Sequence, residues 1–119
     1  MTPSPKPYEV WLVRFVFIDD PSRSKTRPAV CLSYDGSKLR AAMVKVTSHA
    51  AREGVPGELE LADWASAGLL KPSCARCSQV ADIPDRSILR RLGVLSEADK
   101  VALLLALDEA GACDFGLRL

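Results

Sequence analysis

The segment at residues 25–33, with the sequence KTRPAVCLS, limits the possible folds of this chain more than any other stretch. At Arg27 a polar loop gives way to an apolar strand. Pro28 has a fixed φ and no amide proton, so in a sheet it belongs at the first residue of a strand or on an edge. It also pushes Arg27 toward an extended backbone. The sequence therefore predicts Arg27 at the mouth of a sheet. There it is either an ordinary exposed side chain or a planar guanidinium suited to bidentate contact with a phosphate.

The length and the ends of the chain limit its organisation. With 119 residues, one domain over residues 8–119 is expected. Three prolines within residues 1–7 predict a disordered leader that lacks the apolar centre of a signal peptide. The longest apolar run, residues 101–107, is too short to cross a bilayer. We therefore expect a cytoplasmic protein with no membrane segment.

The four cysteines do not form the dense pattern of a disulfide scaffold. Cys74 and Cys77 have C-x-x-C spacing, but the chain has no second pair. Residues three apart on a strand point to opposite faces of the sheet. Two interpretations remain open at this point: a zinc or redox site, or packed thiols.

The charge is unevenly distributed although the net charge is only +1. Residues 23–52 contain seven basic side chains and one acidic side chain, whereas residues 96–114 contain one basic and five acidic side chains. A basic region on a near-neutral domain is typical of a surface that binds a polyanion. A solvated face without a ligand is the alternative.

Short apolar runs separated by turn signals predict five strands. Residues 8–18 are rich in aromatic and β-branched side chains, and residues 27–34 and 39–46 form a hairpin around a two-residue turn at Asp35-Gly36. The remaining strands are residues 58–61 and residues 73–83, the latter ended by Pro84.

The segments between the strands predict one helix and several connections. Residues 19–26 read as a loop, and residues 85–93 as a helical turn or a bent connection. Asp63 begins a helical turn that Gly68 ends. A helix starts after Ser96, runs to about residue 110 and carries apolar residues on more than one face, which the core or a partner would bury. The expected fold is a small, mainly β barrel with a C-terminal helix packed on it.

Seven short motifs occur in a familiar order. They are YEVWLV at 8–13, FVFID at 15–19, KTRPAVCLS at 25–33, VTSH at 46–49, GLLKPS at 68–73, ARCSQV at 75–80 and LGVLS at 92–96. In this order and spacing the chain resembles the PemK/MazF-type toxins, the endoribonuclease halves of bacterial type II toxin–antitoxin pairs. The resemblance covers nearly the whole chain, and the R-P-A-V strand is its most specific part.

The resemblance implies an SH3-like barrel of the CcdB/PemK/MazF type that forms a homodimer. It implies a toxin that cuts single-stranded RNA without a metal or other cofactor and so inhibits translation and growth. The 2′-hydroxyl is the internal nucleophile, and the products carry 2′,3′-cyclic phosphate and 5′-hydroxyl ends. The implied protein partner is an antitoxin with an acidic C-terminal tail, and the complex of the two would bind DNA through the antitoxin.

The same resemblance implies the site residues. Arg27 and Thr47 correspond to the catalytic arginine and threonine of the family. RNA binding would involve a wider set: Arg14, Arg23, Lys25, Ser48, His49, Lys71, Arg76, Ser78 and Gln79. The only histidine, His49, is either a general acid/base or an exposed loop residue that stacks on a base.

One departure from the family leaves two further functions open. Ser78 stands where the family has an aspartate, and a hydroxyl cannot replace an ionised carboxylate. The chain could therefore be a cleavage-impaired RNA binder. A non-catalytic toxin that binds gyrase, as CcdB does, is the other alternative, although such chains lack the R-P-A-V strand.

Overall fold

Six strands and one α-helix make up the fold. The computed structural model describes residues 4–16 and 19–112 of the chain. The elements are β1 (Glu9–Val16), β2 (Ser24–Asp35), β3 (Arg40–Thr47), β4 (Glu58–Glu60), β5 (Cys74–Pro84), β6 (Ile88–Val94) and α1 (Glu97–Glu109), with a 3₁₀ turn at Asp85–Ser87. The prediction of a mainly β fold with a C-terminal helix is confirmed.

The strands form one antiparallel sheet in the order β4-β5-β3-β2-β1-β6. Strands β4 and β6 are its two edges within the described part of the chain, and they are not paired with each other. The predicted barrel is therefore wrong in one respect, because the sheet is not closed. Residues 85–93, predicted to be a turn or a bent connection, contain strand β6.

Strand β2 begins three residues earlier than predicted. Lys25 pairs with Phe15, and Arg27 pairs with Val13. Residues 24–26, which were predicted to be part of a loop, therefore belong to β2 because they pair with β1. Arg27 therefore lies within a strand and not at its mouth. Pro28 precedes the first pair between β2 and β3, which is Ala29 with Lys45. The β2–β3 ladder therefore needs no hydrogen bond from Pro28, which has no amide proton to donate.

The hairpin between β2 and β3 has a longer turn than the two residues predicted. Asp35 pairs with Arg40, which leaves four residues in the loop. The Asp35 carboxylate accepts the amides of Ser37 at 2.9 Å and Lys38 at 3.2 Å. In this turn Leu39, with φ of 54°, has the left-handed backbone conformation, and Gly36 does not. The side-chain bonds of Asp35 stabilise this wider turn.

Both faces of the sheet are buried by apolar clusters. Helix α1 covers one face, where Leu103 and Leu107 pack against Val30 and Val44. The other face carries a second cluster: Val13, Ala29, Cys31, Ala41, Met43, Ile83 and Ile88. Strands β1, β2, β3 and β5 contribute buried residues to both clusters because successive side chains alternate between faces.

Helix α1 begins at the predicted cap. The Ser96 hydroxyl accepts the amide of Asp99 at 3.2 Å, and the helix ends before Gly111, whose φ is +75°. Two of its apolar residues remain exposed, Val101 and, with 68% of its surface accessible, Leu105. Among the described residues, the helix is therefore buried on its sheet side alone. No helix among the described residues is both long and apolar enough to cross a membrane.

Asp99 links the helix to the preceding segment instead of closing a capping box. Its carboxylate, with the residue only 2% exposed, accepts the amides of Ala62 at 3.0 Å and Asp63 at 2.9 Å. Substitution Asp99→Ala leaves both amides without this partner, so we expect the free energy of unfolding to fall by about 1–3 kcal/mol. Urea unfolding measures the change. Asp108→Ala, an exposed position on the same helix, is the control, and equal losses in the two variants would contradict this role.

The ends of the chain are described only in part. Pro5 is buried, and the Lys6 amide donates to the Glu9 carboxylate at 2.7 Å. Residues 1–3, the rest of the predicted leader, lie outside the described residues, as do Phe17, Ile18 and residues 113–119.

Candidate active site

A cleft opens where strands β2 and β3 separate. The last pairs of this ladder are Val30 with Val44 and Ala29 with Lys45. Arg27 and Thr47 each lie two residues beyond the last pair, at positions that would face each other if the ladder continued. The two residues line one cleft of about 480 Å³.

The walls of the cleft come from three other parts of the chain. Leu12 on β1 and Arg90 on β6 form a pair across neighbouring strands, and both line the cleft. Another part of the lining is the segment at residues 68–71 together with Ser73, which follows the turn that Gly68 ends. Segments distant in sequence therefore meet around Arg27 and Thr47.

The charge of the cleft is entirely basic. Its charged lining residues are Arg27, Lys71 and Arg90, and no aspartate or glutamate of the described chain lines it. All three basic side chains are exposed, so they reach solvent and an incoming ligand. A cleft of one sign of charge attracts a polyanion and raises its local concentration.

Arg27 keeps most of its hydrogen-bonding capacity. Its Nη1 donates to the carbonyl oxygen of its neighbour Thr26 at 2.9 Å, which orients the guanidinium. A guanidinium has five N–H donors in a planar fork. The remaining donors can contact a phosphate.

Thr47 is the last residue of β3 and is half-buried. Its Oγ1 accepts the backbone amide of His49 at 3.2 Å, which turns the chain after the strand. Since a hydroxyl is both acceptor and donor, this bond leaves the hydroxyl proton available to a phosphate oxygen. The turn also directs Ser48 and His49 into the cleft lining.

The predicted RNA-binding residues divide into two groups. Ser48, His49 and Lys71 line the cleft with Arg27 and Thr47. The others do not line it, and three of them lie exposed on β1, on β2 and just before β2: Arg14, Lys25 and Arg23. The remaining three are on β5: Arg76, Ser78 and Gln79.

Arg76 lies on β5, next to β3, and is held there by an acidic residue of the edge strand β4. Its Nε lies 3.7 Å from Oε1 of Glu58, whose side chain is only 3% exposed. The same oxygen accepts the Nε of Arg52 at 2.8 Å. The hydrogen bond from Arg52 lowers the pKa of the Glu58 carboxyl by more than burial raises it. Arg76 therefore contributes to an ion-pair group on β4 and β5, outside the cleft.

Ser78 lies in an irregular stretch of β5. Val80 pairs with Val44, whereas Arg76 pairs with the next residue, Lys45, so three residues of β5 bulge out of the ladder. Ser78 is exposed in this bulge and does not line the cleft. The serine that departs from the family pattern is thus separated from Arg27 and Thr47 within one chain.

Arg90 is the cleft residue that sequence reasoning missed. It lies on β6, in a segment interpreted as a turn or bent connection. The available signal was the pair of apolar positions Ile88 and Leu92, but two arginines between them obscured the pattern. Edge strands commonly carry charged residues, which is consistent with the position of β6.

The cysteines belong to the core and not to the cleft. Cys31, Cys74 and Cys77 are free, buried thiols. Burial raises the pKa of Cys31 and of Cys77 to about 12, so both stay protonated near neutral pH. The prediction of packed thiols is confirmed for these three. Among the described residues, no group of three or more His, Cys, Asp or Glu side chains could hold a metal ion.

Solved structures from bacteria share the fold of this chain. The Mycobacterium tuberculosis toxin MazF-mt6 has 21% sequence identity and a TM-score of 0.67, over 89% of this chain and 98% of that chain. A MazE-MazF structure from Deinococcus radiodurans has 19% identity and a TM-score of 0.66, over 87% of this chain and 91% of that chain.

A third structure contains a partner chain. It is an endoribonuclease in complex with its cognate antitoxin from a mycobacterial species, with 14% identity, a TM-score of 0.61 and coverage of 98% of this chain and 99% of that chain. No curated protein matches the chain. The model of a protein family described as "PemK-like, MazF-like toxin of type II toxin-antitoxin system" matches residues 6–110. The chain therefore belongs to the PemK/MazF-like toxin family.

Proposed function

We propose that this protein is the toxin of a type II toxin–antitoxin pair and cleaves single-stranded RNA without a metal ion. One observation carries the proposal. Arg27 and Thr47 line one cleft, whose charged residues are all basic. Both residues offer unused hydrogen-bond donors there. Preorganised donors of this kind stabilise charge that develops in a transition state.

The proposed reaction uses the ribose 2′-hydroxyl as nucleophile. Its oxygen forms a bond to the adjacent phosphorus and loses its proton, while the bond from phosphorus to the 5′-oxygen breaks and that oxygen gains a proton. The products are a 2′,3′-cyclic phosphate and a 5′-hydroxyl. Arg27 would stabilise the five-coordinate phosphorus and the leaving oxygen, and the Thr47 hydroxyl would hold a non-bridging oxygen.

The remaining basic residues of the cleft would bind the RNA backbone. Lys71 and Arg90 both line the cleft and would contact the phosphates that flank the cleaved one. Arg14 and Lys25 would extend this track along β1 and β2. Replacing any one of these side chains with alanine should reduce the log–log salt dependence of single-strand binding by about 0.7.

His49 lines the same cleft and is exposed. A proton-transfer role for His49 requires the cleavage rate to change over the range in which histidine titrates, roughly pH 5 to 8. If the cleavage rate does not change over that range, His49 has no proton-transfer role, and its proposed role is limited to RNA binding.

The proposed partners follow from the same basic cleft. An antitoxin with an acidic C-terminal tail would cover the cleft and exclude RNA, because the two ligands carry the same charge. The antitoxin complex of the mycobacterial endoribonuclease supports such a partner. We also propose that the toxin forms a homodimer and acts on mRNA in the cytoplasm.

The deciding experiment incubates the purified protein with mixed-sequence RNA, with and without EDTA, and maps the new 5′ ends. We expect 5′-hydroxyl ends in both conditions. An RNA with a single 2′-deoxy sugar at a mapped site should resist cleavage there. A folded protein that leaves RNA intact but inhibits gyrase would instead favour the CcdB-like alternative.

A further inference from the structure

A second, smaller cavity adjoins the cleft and has no role in the proposed reaction. Its volume is about 240 Å³, and it shares Ser48, His49 and Ser73 with the cleft. Its other lining residues include Trp64, Glu60 and apolar residues. A ligand with one part at Arg27 and Thr47 could therefore place its next group in this cavity.

The polar groups of this cavity are available to a ligand. Trp64 is half-buried, and its indole N–H has no hydrogen-bond partner in the described part of the chain. Glu60 is exposed, and its only hydrogen bond to a described residue is a long one, 3.5 Å, from the amide of Ala51 to Oε1. Glu58, two residues earlier, differs because Arg52 and Arg76 already neutralise it. Among the described residues, no basic side chain forms an ion pair with Glu60.

The size of the cavity matches a single ring system and not a larger molecule. Sites for drug-sized ligands usually measure about 300–1,000 Å³. Proteins read the bases of single-stranded RNA by placing them against aromatic side chains and by hydrogen bonds to their Watson–Crick edges. An indole, a carboxylate and an imidazole around one small cavity provide these two types of contact.

We propose that this cavity, the base pocket, binds the nucleobase next to the cleaved phosphate and prefers guanine to uracil. The inference rests on the proposed function. A carboxylate only accepts hydrogen bonds. Guanine offers two adjacent donors, N1–H and the N2 amino group, to the two oxygens of Glu60. Uracil offers only N3–H, and the carbonyl oxygens on both sides of it repel the carboxylate.

Nucleotide binding tests the base pocket without any cleavage. Trp11→Phe leaves Trp64 as the only tryptophan, since the chain has two. We expect guanosine 3′-monophosphate to change the Trp64 fluorescence saturably and to bind at least about ten-fold more tightly than uridine 3′-monophosphate. Adding Glu60→Gln should remove most of this preference. Glu53→Gln, an exposed acid outside the pocket, should keep it.

Two results of the titration would overturn the base pocket: no saturable change with either nucleotide, or equal affinities for the two. Circular dichroism of each variant verifies that it is folded. If the titration shows no guanine preference while the wild-type protein still cuts RNA, the proposed function is supported and the base pocket is rejected. If the wild-type protein cuts no RNA, the proposed function falls, and the titration alone decides whether this cavity binds bases.

Cleavage of an RNA series provides the second test. The substrates differ only in one base beside the cleaved phosphate, and kcat/KM is compared for guanine and uracil. We expect the ratio to fall by about ten-fold or more in Glu60→Gln and to stay unchanged in Glu53→Gln. A ratio that is the same in wild type and Glu60→Gln would show that Glu60 does not read the base.

Discussion

Replacing Arg27 with alanine is expected to lower the rate of RNA cleavage by about 10²–10³-fold, the usual cost of losing one preorganised donor. The fold should be unaffected, because the guanidinium is exposed and its hydrogen bond goes to the carbonyl of the neighbouring Thr26. Arg27→Lys keeps the charge but loses the planar fork, so its rate should fall between those of wild type and Arg27→Ala.

Single-turnover cleavage of one short RNA measures this effect, and thermal unfolding shows that each variant is folded. Arg86→Ala is the matched control: it removes an exposed basic residue from the 3₁₀ turn at Asp85–Ser87, which does not line the cleft. Its rate should stay close to that of the wild type. If folded Arg27→Ala cut RNA as fast as Arg86→Ala, Arg27 would have no catalytic role.

That Arg27 and Thr47 meet could be predicted in part, because the strands that carry them are joined by one short hairpin. The register could not be predicted, since the expected two-residue turn would have placed Val44 opposite Arg27. The four-residue turn and a register shift between Cys31 and Ser33 bring Thr47 to that position when the ladder is continued.

Ser48, His49 and Lys71 were predicted and line the cleft, but two features could not be predicted because they depend on strands distant in sequence. Arg90 reaches the cleft through the pairing of β6 with β1, about eighty residues apart in the chain, and no local pattern specifies that pairing. The bulge that takes Ser78 out of the β5 ladder was likewise not predictable from the sequence. A bulge changes register without any fixed sequence signature apart from glycine preferences. The family motif therefore included Arg76 and Ser78 in a site that, within this chain, they do not line.

The cleft wall depends on a close crossing of two backbone segments, and replacing Gly68 with alanine should disrupt it. Gly68 has φ of +87°, and a Cβ atom there would overlap the carbonyl oxygen of Leu92 on β6. We expect the free energy of unfolding to fall by about 2–5 kcal/mol, from the left-handed backbone and the steric overlap together. Gly54→Ala is the control, because Gly54 has φ of +72° but nothing within 4 Å of its added Cβ.

The comparison of the two glycines separates backbone strain from steric overlap. Both variants carry the cost of the left-handed conformation, so any excess loss in Gly68→Ala by urea unfolding belongs to the crossing with β6. The crossing also sets the distance between Lys71, three residues after Gly68, and Arg90, two residues before Leu92. Because a displacement of about 1 Å can cost roughly 10² in rate, Gly68→Ala protein kept folded at low temperature should also show a reduced kcat/KM. Equal stability losses in Gly68→Ala and Gly54→Ala would mean that the two segments can separate without cost, and the cleft would then not be preorganised by this contact.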